Sequence, residues 1–143
     1  MSSPPAKRQR TEDAPITRSE IWKRDGSVVL QAANTRFRVH WSILEQSSTV
    51  FRYMQALSRP ADQPSVDGCP VVEISADPRD VEQLLNALYI PTFLSQKALP
   101  LPTVGSLIRL GRKYQFKDLF DSAVARLTDE YPITLEDFDA VRG

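Results

Sequence analysis

The sequence predicts an α+β fold, a small three-stranded sheet flanked by helical hairpins. Three observations predict it. Two short runs with strand character, residues 27–32 and 35–40, stand side by side early in the chain. Apolar residues at helical spacing dominate the later part, above all from Val81 to Tyr89 and from Leu107 to Leu127. Prolines close three of the helical runs, at Pro60, Pro91 and Pro132.

The run SVVLQA (27–32) is short and rich in β-branched residues. Ala33-Asn34 then supplies a tight turn, with asparagine as the residue that tolerates positive φ. In TRFRVH (35–40), Phe37 and Val39 alternate with Arg36 and Arg38, one face apolar and the other basic. The two runs form a β-hairpin. Residues 42–46 make about one helical turn. Ser48 can cap a second helix whose apolar face carries Val50, Phe51, Met54 and Leu57. Residues 58–70, with three prolines and a glycine, form a loop, and VVEI (71–74) is a third short strand.

The next helix has the clearest signals. Asp77 is placed to cap it, Pro78 suits its first position, and Asp80 favours the positive end of the helix dipole. Val81, Leu84, Leu85, Leu88 and Tyr89 then form a wide core-facing stripe. Residues 91–102 read as a proline-bearing linker. Two helices follow, near 104–114 with Leu107, Leu110 and Tyr114 in register, and near 117–131 with Phe120, Ala123, Val124 and Leu127 on one face. Three regions result: a disordered basic tail over 1–19, a domain over 20–131 with order starting near Ile21-Trp22, and 132–143 as a tail or the start of a further helix at Thr134.

Composition narrows the chemistry. The chain has 143 residues with 18 basic and 18 acidic side chains, a net charge of zero. That balance argues against coating nucleic acid or an anionic membrane. One histidine, His40, and one cysteine, Cys69, build neither a disulfide framework nor a tetrahedral zinc site. No run approaches the ~18 apolar residues of a membrane span. The N-terminus is polar, without the apolar core of a signal peptide, so an intracellular protein, nuclear or cytoplasmic, is expected. The carboxylates do not cluster as an acid–base pair, and Gly105 and Gly111 lack phosphate-loop spacing. His40 with Cys69 is the one pair that suggests nucleophilic chemistry, and nothing around Cys69 forms a motif. The expectation is a non-enzymatic chain without a cofactor.

Several stretches, in this order, resemble a BTB/POZ domain. Asp25-Gly26-Ser27-Val28-Val29-Leu30 is similar to the family's first strand with its leading aspartate. Phe37-Arg38-Val39-His40 followed by Ile43-Leu44 resembles its F-x-x-H-x-x-I/V-L signature. Ser48-Thr49-Val50-Phe51 looks like its S-x-x-F helix start, and Leu84-Leu85 to Leu88-Tyr89 like the helix ending L-x-x-x-Y. Residues 107–116 with Leu119 are similar to its L-x-x-A-x-K-Y-x-x-x-x-L segment. Ile21-Trp22 and Gly68-Cys69-Pro70-Val71 look most like the fungal, basidiomycete-type branch.

The resemblance implies a protein–protein interaction module that forms homodimers or hetero-oligomers, with no direct nucleic-acid or membrane partner. A second implied reading is a substrate adaptor for a cullin-based ubiquitin ligase. Members that recruit cullins often carry a hydrophobic-x-Glu motif after the helix ending here near Tyr89, and residues 91–104 contain no glutamate. The family also often places a lysine or arginine after its histidine, paired with the leading aspartate; here Trp41 stands there, so Asp25 is expected to lack that partner. Trp22, Trp41, Phe51 and Met54 are the candidate interface residues, since tryptophan is enriched at interface hot spots. Lys7, Arg8 and Arg10 form a candidate nuclear import signal. Arg109, Arg112 and Lys113 lie off the apolar face of their helix and read as a solvated face.

Overall fold

The computed structural model describes residues 15–57, 61–130 and Glu136. Strands β1 (Thr17–Trp22), β2 (Val28–Ala32) and β3 (Thr35–Val39) come first. Helices α1 (Trp41–Ser47) and α2 (Thr49–Ala56) follow, then β4 (Ser65–Val66) and β5 (Cys69–Ile74). Helices α3 (Pro78–Tyr89), α4 (Leu101–Lys113) and α5 (Lys117–Glu130) complete the described chain, with one 3-10 turn at Phe93–Ser95.

The hairpin of β2 and β3 is antiparallel, with Leu30 opposite Phe37. β5 runs parallel to β2, Val29 beside Val71. The sheet holds five strands rather than three, in the order β1-β3-β2-β5-β4. β1 adds to the hairpin edge, parallel to β3. It takes in Thr17, Arg18 and Ser19, which the sequence placed in the disordered tail. Its backbone is held there from both ends: Thr17 N–H donates to Asn34 O at 2.7 Å and Lys23 N–H to Arg38 O at 2.8 Å. β4 is a two-residue strand inside the loop expected over 58–70. In the tight turn it is Ala33, not Asn34, that takes positive φ, at 53°.

Helix caps follow the sequence closely. Ser48 Oγ accepts the Phe51 N–H at 3.0 Å, and Asp77 Oδ1 accepts the Arg79 N–H at 2.8 Å. The latter bond holds the Asp77 carboxyl below its usual range. α4 begins at Leu101, inside the expected linker, because Pro102 fits a first turn whose N–H groups need no helical partner. Leu57, counted with the α2 apolar face, lies just past the helix end and is exposed.

Strand alternation divides the sheet into two faces. Val28, Leu30, Phe37 and Val39 point into the main core, against Leu44, Phe51 and the apolar stripes of α3, α4 and α5. The opposite face buries a smaller cluster of Val29, Cys69 and Val71, with Trp22 and Val66 packed on it.

Candidate interaction surface

The four residues singled out from sequence part company. Phe51 is 1% exposed and belongs to the core. Its ring lies 5.3 Å from that of Tyr114 and 5.8 Å from that of Phe116, so it locks α2 onto the turn between α4 and α5. Trp41 is also buried, edge-on to Phe51 at 6.4 Å. Its position at the start of α1 turns the indole inward, while its backbone N–H donates to Ser27 Oγ at 2.9 Å. Both side chains sit in the core of the chain. Met54 is half-buried against the main core. Trp22 is half-buried on the other face of the sheet, with the Arg18 guanidinium 3.9 Å above its ring. Lys7, Arg8 and Arg10 lie outside the described residues.

An open cleft of about 550 Å³ lies beside Trp22, lined by Trp22, Lys23, Arg24 and Asp25. Asp25 is not without a partner: its Oδ1 lies 2.9 Å from His40 Nε2. His40 in turn meets Tyr89. Its backbone N–H donates to the Tyr89 hydroxyl oxygen at 2.9 Å, and that hydroxyl lies 2.7 Å from His40 Nδ1. With the phenol proton donated to Nδ1, the histidine proton sits on Nε2 and points at Asp25. This contact with His40 is the main reason the Asp25 carboxyl is held below its usual range. Burial pushes the Tyr89 phenol up, and Lys23 Nζ stands 4.7 Å from the centre of its ring. The relay joins the β1–β2 turn to the end of α3.

His40 and Cys69 keep separate company. Cys69 is buried, and its Sγ lies 3.2 Å from Gly26 O. Among the described residues, no group of three His, Cys, Asp or Glu side chains is placed to hold a metal ion, and no helix is long and apolar enough to cross a membrane.

Sequence reasoning missed two features. The first is Arg109, read as solvated. It pairs twice with Asp80, Nε to Oδ2 at 3.0 Å and Nη2 to Oδ1 at 2.8 Å, and Ser106 Oγ donates to the same carboxylate at 2.6 Å. That pairing raises the Arg109 pKa further. No pattern in either helix alone links the two, since the contact spans α3 and α4. The second is an exposed apolar pair, Tyr53 at 67% and Leu57 at 48%. Their four-residue spacing is plain in the sequence, which sets Leu57 on the apolar face of the helix.

Two comparisons place the chain among known proteins. A family model for the BTB/POZ domain matches residues 24–130. The chain belongs to the BTB/POZ domain family. The BTB domain of zebrafish PATZ1 has a similar structure, with a TM-score of 0.55 and 13% sequence identity over 73% of this chain and 77% of that one. At that identity the likeness speaks for the fold. No curated protein matches the sequence. As a BTB/POZ domain the chain is a protein–protein interaction module, and the Asp25–His40–Tyr89 relay ties together its leading aspartate, its signature histidine and its helix-ending tyrosine.

Proposed function

We propose that this BTB domain is a non-enzymatic assembly module that pairs with a second copy of itself or with another protein. The observation that carries the reading is the position of β1. It is the edge strand of the sheet, with a neighbour on one side only among the described residues, and half-buried Trp22 closes it. A free strand edge offers unpaired backbone groups to another chain, and an adjacent tryptophan supplies apolar area. A two-fold pairing through such an edge is self-complementary. The test is co-purification of two differently tagged copies. Recovery of both tags on either resin is expected; a chain that never carries its second copy overturns self-pairing.

The cullin-adaptor reading is favoured by the exposed pair Tyr53 and Leu57 on and just beyond α2. A cullin N-terminal region added to the same experiment decides it. The basic run Lys7, Arg8 and Arg10 supports a nuclear role for the assembly, which is checked by following a tagged chain in cells: Lys7→Ala with Arg8→Ala removes nuclear enrichment, and unchanged distribution rejects the signal. Ile21-Trp22 and Gly68–Val71 support placement in the fungal branch of the family.

A further inference from the structure

We propose that the outer face of the sheet at β1 and β3 docks an acidic, extended segment of a partner protein. The inference rests on reading the chain as an interaction module, and it names the chemistry of what the module holds.

Strand register gathers the charge. Phe37 and Val39 are buried, so Arg36 and Arg38 face away from the main core. The parallel pairing sets Arg18 beside Arg36 and Trp22 beside Arg38. The β1–β2 turn adds Lys23 and Arg24. Like charges on neighbouring strands oppose the pairing that brings them together, and the local carboxylates do not balance them. Asp67 is shared, 3.9 Å from Arg18 Nη2 and 3.6 Å from Arg38 Nη1. Asp25 is engaged by His40. Glu20 lies on β1 itself, and Glu73 is two strands from Arg36, beside Gln31. Arg36 Nε reaches only the neutral amide of Gln31, at 2.8 Å. Among the described residues Arg36, Lys23 and Arg24 have no carboxylate within ion-pair distance.

An added strand fits this arrangement. Its backbone would pair with the edge of β1, in competition there with a second copy, and alternate side chains recur on one face about every 6.5–7 Å. Carboxylates at alternate positions would face the Arg18–Arg36 row, and the apolar residues between them would continue the opposite face, on the side of Ile21. The zero net charge of the chain and the small size of the patch disfavour a nucleic acid, which needs many phosphate contacts.

The probe is a short peptide of alternating valine and glutamate, labelled and titrated with the full chain by fluorescence anisotropy. Binding that weakens with rising salt is expected, with at least a tenfold loss in an Arg18→Gln, Arg36→Gln variant whose circular dichroism is unchanged. Lys117→Gln, on α5, leaves binding intact. Arg36→Glu shifts preference toward the matching valine–lysine peptide, a gain that misfolding cannot produce. No binding of the acidic peptide, or binding indifferent to Arg18 and Arg36, overturns the proposal. So does equal binding of a single-stranded oligonucleotide that displaces the peptide, which marks a general polyanion surface. A chain that ignores the peptide at concentrations where it is monomeric, yet pairs with its own copy at higher ones, overturns this inference and leaves the module reading standing.

Discussion

Asp25 Oδ1 and His40 Nε2 stand 2.9 Å apart, and the far side of the same imidazole meets the Tyr89 hydroxyl at 2.7 Å. One histidine thus bridges the turn that opens the hairpin and the last residue of α3. The phenol is the half-buried, less exposed end of this bridge and the carboxylate its exposed end.

Removing the half-buried end should cost more than removing the exposed one. Tyr89→Phe leaves the His40 backbone N–H and Nδ1 without their shared partner, an expected loss of about 1–3 kcal/mol in denaturant melts. A change below ~0.5 kcal/mol would show that water replaces the phenol freely.

The exposed end has a pH signature. Because Asp25 is held below its ordinary value in the folded chain, its contribution is present above the unfolded value of about 3.9. It is lost as pH falls through the lower, folded value. Melting temperature of the parent should therefore fall more steeply below pH ~4 than that of Asp25→Asn. Parallel acid limbs would contradict the pairing.

The Asp80–Arg109 pair tests what joins α3 to α4. Arg109→Met removes the two-pronged partner of a largely buried carboxylate, an expected cost of about 2 kcal/mol. This is below the 3–5 typical of fully buried pairs because Arg109 is a third exposed. Adding Asp80→Asn should recover part of that loss. If the double variant is the less stable of the two, the pair does more than balance charge.

Gly26 is spatially constrained. A Cβ there would meet Val39 O at 2.7 Å and Arg38 Cγ at 2.8 Å, the first of them backbone. Gly26→Ala must therefore move the turn or the hairpin, with an expected loss of about 1–3 kcal/mol. A neutral result in thermal melts would mean that the turn gives way at no cost.

Leu84 and Leu127 are 2% and 0% exposed, from α3 and α5. Each replacement by alanine should cost about 2–5 kcal/mol. A value under ~1 kcal/mol would argue that the site collapses without a cavity.

The local signals in the sequence were the reliable ones. Asp77 and Pro78 start α3 as capping chemistry demands, and the Val81–Leu84–Leu85 face is the buried one. Leu30 and Phe37 meet because alternation and a two-residue turn set their register. What escaped depends on distant partners. β1 is held by β3, across the hairpin turn, and its TRSEIW run alternates too weakly to declare a strand. Whether Trp41 points in or out depends on how α1 leaves β3, which no neighbouring residue specifies. Trp22 was legible as a surface candidate, whereas its Arg18 partner became visible only once β1 existed. The basic face of β3 was plain in the alternation of Arg36 and Arg38. The edge position that makes it available was not.

The central claim is that the domain assembles through a surface of its own, and the mass in solution tests it most directly. Light scattering on the purified chain, across a range of concentrations, should give twice the 16.1 kDa of a single chain. A mass that stays at 16.1 kDa at every concentration, with or without the cullin region, would contradict it.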